Sequence, residues 1–356
     1  MEAVVLVGGQ GTRLQPLTIR TPKPMLPFAG APFLTHQITR LRAAGVEHIV
    51  LATSYRAEVF AEHFGNGKEL GIRIDYVTET EPLGTGGGIR NVARRLESGP
   101  ADAVLIVNGD VLSGHDIGAQ LELHRRREAA ATLHLVEVPD ARPFGCVPTD
   151  SHNRVTGFFE KSPEPVTNRI NAGCYVFARH VIDEIPEGRV VSVERETFPG
   201  LLEDKQMVLG YVDNAYWLDV GTPRAFVKGS SDVVRGVVDS PVLSGSVGES
   251  LIDPDASVHP NAVITGGSVI GPRSVVESGA TVHSTVVADG AHIGSGAVIG
   301  FSLIGRRAVI GRKAMLNDVV IGEGAKIGEN NELANGIRIW TDAVIPDAAI
   351  RFSPLP

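Results

Sequence analysis

The amino-acid sequence predicts an α/β domain with a mostly parallel sheet, followed by a parallel β-helix. Up to about residue 225, short β-branched runs alternate with segments of helical spacing. This order is typical of parallel sheets covered by helices on both faces. After about residue 245, a branched aliphatic residue recurs every six positions. That period indicates a triangular coil in which each side buries one aliphatic side chain.

The predicted elements of the first half follow from this alternation. Strands are expected at residues 3–7, 48–52, 72–77 and 103–108, with helices at 33–44 and 57–64. Ligands of such sheets gather at the carboxyl ends of the strands. Thr222 and Pro223 form an N-cap and first helical residue, so a helix to about residue 238 is expected to join the halves. We predict a catalytic domain at 1–225, a linker helix at 226–245 and a β-helix at 246–356.

The six-residue period begins at Ile252 and slips by one residue three times, so that most coils take 17 residues. Every position in the series is Ile, Val or Leu. We interpret the slips as one corner of each triangle that is shorter by a residue. The series consists of Ile252, Val258, Ile264, Ile270, Val276, Val282, Val287, Ile293, Ile299, Ile304, Ile310, Leu316, Ile321, Ile327, Leu333, Ile339 and Ile345.

Composition and charge limit the functional classes. The 356 residues are enough for two domains with full cores. A formal net charge of −8 argues against nucleic acid or an anionic membrane as a partner. The start, MEAVVLVGGQG, is too short an apolar run for a signal peptide, and no run approaches a membrane span. Cys146 and Cys174 read as two reduced thiols, so a cytoplasmic protein is expected.

A glycine-rich loop follows the first strand and contains Gly8, Gly9 and Gly11. Such a loop presents backbone N–H groups that can hold phosphate oxygens. Arg13 and Lys23 add two cations to the same region. The spacing fits neither a Walker A loop nor the dinucleotide-binding glycine pattern.

Two acidic residues follow apolar runs in the first half: Asp110 in VLIVNGDV and Asp219 in YWLDVGT. A single carboxylate at the end of a strand is as often a loop or helix-cap residue as a metal ligand. Two of them beside a phosphate loop suggest a divalent cation, because Mg²⁺ favours one or two carboxylates together with substrate phosphates.

The pair LVGGQGTRL and PKPML resembles the signature of the sugar-1-phosphate nucleotidyltransferases. The resemblance covers the whole chain and is closest to the bacterial mannose-1-phosphate guanylyltransferase branch. It implies a Rossmann-like nucleotidyltransferase domain and a left-handed β-helix. It also implies that Asp110 and Asp219 bind Mg²⁺, and that these acids are catalytic together with Arg13 and Lys23.

The segment YVTETEPLGTGGG is the candidate site for recognition of the nucleotide base, and its acidic residues are the candidate base readers. Relatives that use uracil or thymine have a Gln at the position of Glu79. Guanine presents two adjacent donors, which one carboxylate can accept in a fork, so Glu79 favours GTP. Glu81 remains an alternative reader. The expected nucleotide-binding residues are Leu6, Gly8, Gly9, Gly11, Thr12, Arg13, Glu79, Pro82, Gly84, Thr85, Asn108 and Gly109.

The family pattern also implies a sugar-phosphate site. Glu160 in FFEKS is expected to hold sugar hydroxyls and Lys161 the 1-phosphate, with Arg195 as a further phosphate contact. The expected substrate-binding residues are Gly145, Glu160, Lys161, Asn171 and Gly173.

These residues predict transfer of a guanylyl group from GTP to a hexose 1-phosphate, with mannose as the expected sugar. Three alternatives stay open. The first is thymidylyl, uridylyl or adenylyl transfer to glucose 1-phosphate. The second is an acyltransferase built on the β-helix. The third is a non-catalytic regulatory paralogue that binds sugar nucleotides. The stacked coils leave faces and an end that a neighbour can cover, so a homodimer or homotetramer through the β-helix is expected.

Overall fold

The computed structural model describes residues 1–243 and 248–352. Internal contacts divide the chain into two compact units. The sheet unit consists of Met1–Gly9 and Ile38–Trp217, and the coil unit consists of Gln10–Gln37 and the chain from Leu218 on. The segment after the first glycines therefore shares a unit with the coils. The predicted domain boundaries near residues 225 and 245 stay a prediction.

The elements before the coils are short strands and helices that alternate along the chain. The strands are β1 (Glu2–Leu6), β2 (Pro27–Phe28), β3 (Ala31–Pro32), β4 (His48–Thr53), β5 (Arg73–Thr78), β6 (Ala103–Asn108), β7 (Val111–Ser113), β8 (Ala131–Glu137), β9 (Gly145–Cys146), β10 (Phe159–Glu160), β11 (Arg169–Ala178), β12 (Val208–Val212) and β13 (Trp217–Asp219). The helices are α1 (Phe33–Ala43), α2 (Ala57–Phe64), α3 (Gly84–Val92), α4 (Ile117–Arg126), α5 (Arg179–Glu184), α6 (Phe198–Glu203) and α7 (Pro223–Val234).

The sheet unit is built on one nine-stranded sheet. Its main path runs β10-β9-β11-β6-β1-β4-β5, and β8 pairs with both β11 and β12. β6, β1, β4 and β5 are parallel, whereas β11 runs antiparallel to β6. The centre of β1 is fully buried, as expected for a strand covered on both faces. The predicted α/β fold with a mostly parallel sheet at its centre is confirmed.

Helix α7 begins where the sequence predicts and ends earlier. The Thr222 hydroxyl accepts a hydrogen bond from the Ala225 N–H at 3.2 Å, as an N-cap does. The helix ends at Val234 and residues 235–243 are not helical, so the helix predicted to about residue 238 is a few residues too long. Residues 244 and 245 of the predicted linker lie outside the described residues. Gly236, with a φ of 72°, follows directly and adopts the left-handed conformation typical of helix ends.

The coils form three parallel sheets, and each aliphatic residue of the predicted series lies in a strand. The first coil sheet is β14-β17-β20-β23-β26-β29, the second is β15-β18-β21-β24-β27-β30, and the third is β16-β19-β22-β25-β28. The strands are β14 (Ser250–Ile252), β15 (Ser257–Val258), β16 (Val263–Thr265), β17 (Ser268–Ile270), β18 (Val275–Val276), β19 (Thr281–His283), β20 (Val286–Val287), β21 (His292–Ile293), β22 (Val298–Gly300), β23 (Leu303–Ile304), β24 (Val309–Ile310), β25 (Met315–Asn317), β26 (Val320–Ile321), β27 (Lys326–Ile327), β28 (Glu332–Ala334), β29 (Arg338–Ile339) and β30 (Val344–Ile345).

The predicted shortened corner is present in three coils and has a common backbone geometry. It lies between the third and first coil sheets, where Ser284, Phe301 and Asp318 have φ values of 43°, 49° and 56°. A single left-handed residue therefore turns each of these corners. The predicted parallel β-helix is confirmed. Among the described residues, no helix combines the length and apolarity needed to cross a bilayer.

Candidate active site

The carboxyl edge of the parallel strands brings together three residues predicted to bind the nucleotide and one predicted metal ligand. Leu6 at the end of β1 is level with Ala52 in β4 and with Asn108 at the end of β6. The Gly109 N–H donates to the Leu6 carbonyl at 2.9 Å. A Cβ on Gly109 would lie 2.6 Å from that oxygen, so glycine is required there. Half-buried Asp110 follows directly at the same edge.

The first glycines of the loop are held by a residue that the sequence did not single out. The Ser54 hydroxyl donates a hydrogen bond to the Gly8 carbonyl oxygen. A Cβ on Gly8 would lie 3.1 Å from Ser54 Oγ and 3.9 Å from Glu79 Oε2, whereas one on Gly9 would meet nothing within 4 Å. Ser54 follows β4 much as Gly8 follows β1, and this shared position is the signal that could have identified it.

The Glu79 carboxylate faces the start of α3. Its Oε2 accepts a hydrogen bond from the Leu83 N–H at 3.4 Å, and its Oε1 lies 2.7 Å from the point that a Cβ on Gly88 would occupy. Burial raises the pKa of Glu79, against the opposing effect of the Leu83 hydrogen bond. Glu81 and Pro82 are exposed. Of the two candidate readers, Glu79 has the more enclosed carboxylate.

Gly84 and Thr85 have structural partners in addition to their predicted role. Gly84 has a φ of 72°, and a Cβ there would lie 2.6 Å from the Val191 carbonyl oxygen. The Thr85 hydroxyl donates to Glu194 Oε2 at 2.8 Å and accepts from the Val193 N–H at 2.9 Å. The glycines at the start of α3 therefore also admit a neighbouring chain segment, which sequence reasoning missed.

Two of the predicted sugar-site residues pair across a short antiparallel ladder. Glu160 of β10 is opposite Gly145 of β9. A Cβ on Gly145 would lie 2.6 Å from Glu160 Oε2, so the absence of a side chain leaves space for this carboxylate. Lys161 Nζ is 3.6 Å from Glu160 Oε1 and is mostly exposed. Arg195 is exposed on another segment.

A bulge in β11 joins the predicted sugar side to the predicted nucleotide side. The pairing with β8 shifts between Asn171 and Tyr175, where Gly173 has a φ of 76°. Asn171 donates to the Tyr175 hydroxyl at 2.7 Å and accepts from the Gly173 N–H at 3.1 Å. A Cβ on Gly173 would lie 2.8 Å from Asn108 Nδ2. Asn108, Asn171 and Gly173 therefore form one polar cluster.

Within the coil unit, the chain from Gly11 to Lys23 folds back on itself. Gly11 has a φ of 63°, and a Cβ there would lie 2.8 Å from the Lys23 Cβ. The Thr18 hydroxyl donates to the Gly11 carbonyl at 3.0 Å. Lys23 is only 7% exposed, whereas Thr12 and Arg13 are exposed. Arg13 thus lies near the start of this compact turn, and Lys23 lies at its end.

Asp219 lies beside Arg13 in the same unit. Arg13 Nη2 is 3.9 Å from Asp219 Oδ2. A Cβ on Gly221 would lie 2.3 Å from Arg13 Nη2 and 2.8 Å from Asp219 Oδ1. Gly221 therefore leaves a hollow in which a guanidinium and a carboxylate meet.

The chemistry of each predicted metal ligand suits a hard divalent cation. Asp110 belongs to the sheet unit and Asp219 to the coil unit, and each side chain offers carboxylate oxygens, the ligand type that Mg²⁺ prefers. Across the hollow at Gly221, the Asp219 carboxylate faces the Arg13 guanidinium. Across residues 1–243 and 248–352, no three His, Cys, Asp or Glu side chains cluster as a metal cage.

Comparison with protein families gives two matches that follow each other along the chain. A model described as Nucleotidyl transferase matches residues 2–236. A model described as GMPPB C-terminal domain matches residues 246–351.

Comparison with individual proteins gives relatives that share most of the chain. A mannose-1-phosphate guanylyltransferase of Mycobacterium tuberculosis is 57% identical over 272 residues, which are 76% of this chain and 75% of that protein. A mannose-1-phosphate guanyltransferase of Schizosaccharomyces pombe is 35% identical over 73% of this chain and 74% of its own length.

A similar solved structure is HddC from Yersinia pseudotuberculosis, 28% identical with a TM-score of 0.56, covering 65% of this chain and 98% of that one. A second structure of HddC, in complex with GMP-PN, matches with a TM-score of 0.55, the same identity and the same coverage.

Proposed function

The chain belongs to the nucleotidyl transferase family, and from this premise we propose that it transfers a guanylyl group from GTP to mannose 1-phosphate, giving GDP-mannose and pyrophosphate. The observation that carries the proposal is the 57% identity to the Mycobacterium tuberculosis enzyme over three quarters of both chains. Arg13 and Lys23, the two cations of the family signature, are both present in this chain. Their presence supports a catalytic rather than a regulatory protein.

The reaction is a direct in-line displacement. A phosphate oxygen of mannose 1-phosphate forms a bond to the α-phosphorus of GTP. The bond from that phosphorus to the bridging oxygen breaks, and its electron pair leaves with pyrophosphate. The nucleophile arrives ionised, so no general base is required. The protein must instead overcome the repulsion between two polyanions and hold them in line.

We assign the binding of the triphosphate to the glycine loop and the two cations. The backbone N–H groups of the loop and the exposed Arg13 hold the β- and γ-phosphates, which stabilises the leaving group. Lys23 acts on the α-phosphate, where charge builds in the transition state. Arg13 is suited to this role because its guanidinium is 61% exposed beside Asp219.

Enzymes of this family generally use a divalent metal, and we propose Mg²⁺ held by Asp110 and Asp219. When bound, it would supply positive charge that offsets the negative charge of the phosphates. The role of the two carboxylates is to orient the ion.

We propose that Glu79 selects guanine. Guanine offers N1–H and N2–H donors side by side, and a carboxylate accepts both. The half-buried position of Glu79 supports this role, because a carboxylate already removed from water gains more from two donors than a solvated one does.

We assign the sugar phosphate to the cluster around Asn171. Glu160 and Asn171 offer acceptors and donors to sugar hydroxyls, and Lys161 pairs with the 1-phosphate. Support comes from the contact of Gly173 with Asn108, which links this cluster to the nucleotide edge.

A homodimer or homotetramer through the coils also remains our proposal, as does a cytoplasmic location. Val263, Val298 and Met315 are about half exposed, and Val298 and Met315 are neighbours in register on the third coil sheet. Size-exclusion chromatography with light scattering would test the assembly.

The proposed reaction is tested by product analysis. The purified chain is incubated with GTP, mannose 1-phosphate and Mg²⁺, and the products are separated by ion-exchange chromatography. GDP-mannose and pyrophosphate are expected in equal amounts. Pyrophosphate without a sugar nucleotide, or no turnover, would contradict the proposal.

A further inference from the structure

We infer that the last coils of the β-helix position the phosphate-binding turn, with Arg338 and Asp342 as positioning residues for Arg13 and Lys23. The turn, residues 11–23, is here called the signature segment. The inference rests on the proposed function for the role of the two cations. All the contacts that carry it lie within the coil unit.

The outward face of the first coil sheet carries a row of side chains in register. Leu251 pairs with Val269, then Val286, Leu303, Val320 and finally Arg338 follow, one per coil. Val269, Val286, Leu303 and Val320 are at most 3% exposed, although their side chains point away from the coil interior. Other parts of the coil unit therefore cover this row.

The covering layer comes from the chain around the signature segment and from α7. Leu17, Leu26 and Phe226 line a cavity of about 30 Å³ against Val286 and Leu303. Apolar side chains of the signature segment and of α7 therefore lie next to the row.

Two further contacts anchor the chain just after the signature segment. The rings of Phe28 and Phe226 meet edge-on at 5.2 Å, and a Cβ on Gly30 would lie 2.8 Å from Leu251 Cδ2. The chain that carries Lys23 thus packs against both α7 and the first coil.

Polar contacts hold the signature segment itself. At the last rung of the row, Arg338 Nη1 donates to the Gln15 carbonyl at 3.1 Å. Arg20 Nη2 is 2.8 Å from Asp342 Oδ2, and Arg20 Nη1 is 3.9 Å from Glu323 Oε1. The coils thus make polar contacts with Gln15 and Arg20, which both lie between Arg13 and Lys23.

The acids that bind Arg20 lie on successive coils of one corner. The Asp342 N–H donates to the Glu323 carbonyl at 2.9 Å, which stacks the two residues. Two neighbouring carboxylates repel each other, and Arg20 and Arg307 supply the balancing charge. The corner is therefore built to receive a cation from the signature segment.

The catalytic consequence follows from the side chain of Arg13. A long, exposed guanidinium is aimed by its backbone, so a shift of the segment moves it. A misplacement of about 1 Å can cost about 10²-fold in rate. The β-helix would then contribute to catalysis in addition to any role in assembly.

The test uses Arg338→Met combined with Asp342→Leu, which removes the donor to the Gln15 carbonyl and the acceptor for Arg20 while keeping side chains of similar size. The matched control is Arg273→Met, which breaks the ion pair with Asp289 on the equivalent corner of earlier coils. Because exposed ion pairs are weak, we expect a loss of kcat of about threefold to tenfold in the double variant and none in the control. The KM for mannose 1-phosphate and the melting temperature should change little.

Amide hydrogen exchange gives a readout that does not need activity. The N–H groups of Leu14, Gln15 and Ile19, which donate within the segment, should exchange several-fold faster in the double variant than in the control. Exchange and kcat that match the wild type would overturn the inference. A wild-type chain without guanylyl transfer would count against the proposed function, while the exchange data would still decide whether the coils hold the segment.

A charge swap provides the rescue experiment. Arg20→Asp and Asp342→Arg should each lower kcat, and the combination should recover most of it. Arginine is tolerated at such corners, since Arg273 and Arg307 have φ values of 55° and 54° there. Additive losses in the combined variant would contradict a direct contact.

Discussion

Arg13 and Asp219 face each other across a hollow that only a glycine leaves open, with Nη2 3.9 Å from Oδ2. The guanidinium is assigned to the leaving phosphates and the carboxylate to the metal. These two roles require the side chains to lie near each other, with a guanidinium that can turn to a ligand. The exposure of Arg13 is compatible with that freedom.

Removal of either cation should affect the chemical step more than binding. Arg13→Ala and Lys23→Met are expected to lower kcat by about 10²- to 10³-fold, with a smaller rise in the KM for GTP, because their charges act where negative charge develops. Steady-state kinetics with GTP as the varied substrate measure both constants. An unchanged kcat with a raised KM would show that the roles are misassigned.

Gly221→Ala should impair activity without unfolding the protein. The new Cβ would lie 2.3 Å from Arg13 Nη2, the end of a flexible side chain, so Arg13 is expected to turn away. We expect kcat to fall about tenfold or more, with the melting temperature within a few degrees of wild type. Gly200→Ala is the control, because a Cβ there meets nothing within 4 Å. Equal activity of the two variants would refute the hollow's role.

Glu79→Gln should weaken the preference for guanine. An amide can accept one of guanine's two donors but presents its own N–H to the other, so we expect kcat/KM for GTP to fall about 10²-fold. The values for UTP and dTTP should fall much less. Glu81→Gln, measured in the same way, discriminates between the candidates: if it has the larger effect on GTP, the base reader is Glu81.

The stability of the fold should fall below about pH 6.5, the ordinary pKa of histidine. Burial lowers the pKa of His134 to about 4 and of His115 to about 2, and their rings stack at 3.8 Å. These groups stay neutral in the folded state while the unfolded chain binds protons. Each therefore costs stability as pH falls from 6.5 to its folded pKa, by about 1.4 kcal/mol per pH unit.

His134→Phe tests this account, because His134 is 1% exposed and, among described residues, neither ring nitrogen has a hydrogen-bond partner. Urea unfolding between pH 4.5 and 7 should give a shallower loss of stability in this variant. Exposed His152→Gln should leave the slope at the wild-type value. A slope unaffected by His134→Phe would contradict a neutral buried imidazole.

Local patterns predicted much of the fold. The shortened corner was visible in the five-residue step from Val282 to Val287, because a regular coil requires one buried aliphatic per side. The early strands were visible because fully buried strands are apolar throughout. The end of α7 was less predictable, since the apolar pattern continues past Val234 although the helix stops there.

Contacts between distant segments were not predictable. Ser54 is recognisable only once β1 and β4 are known to be neighbours. The contact of Arg20 with Asp342 joins residues more than 300 positions apart, and no periodicity or motif encodes it. The glycines after Leu83 suggested a ligand, but part of their purpose is to admit Val191. The motifs indicated which residues have predicted chemical roles. The residues that hold them in place are distant in the sequence and come near them only in the folded structure.

The central claim is that this chain joins GTP to mannose 1-phosphate. The most direct test is the initial rate of pyrophosphate release by the wild-type chain with GTP, ATP, UTP or dTTP, each against mannose 1-phosphate and glucose 1-phosphate. The account predicts the highest kcat/KM for GTP with mannose 1-phosphate. A higher value for any other pair would contradict it.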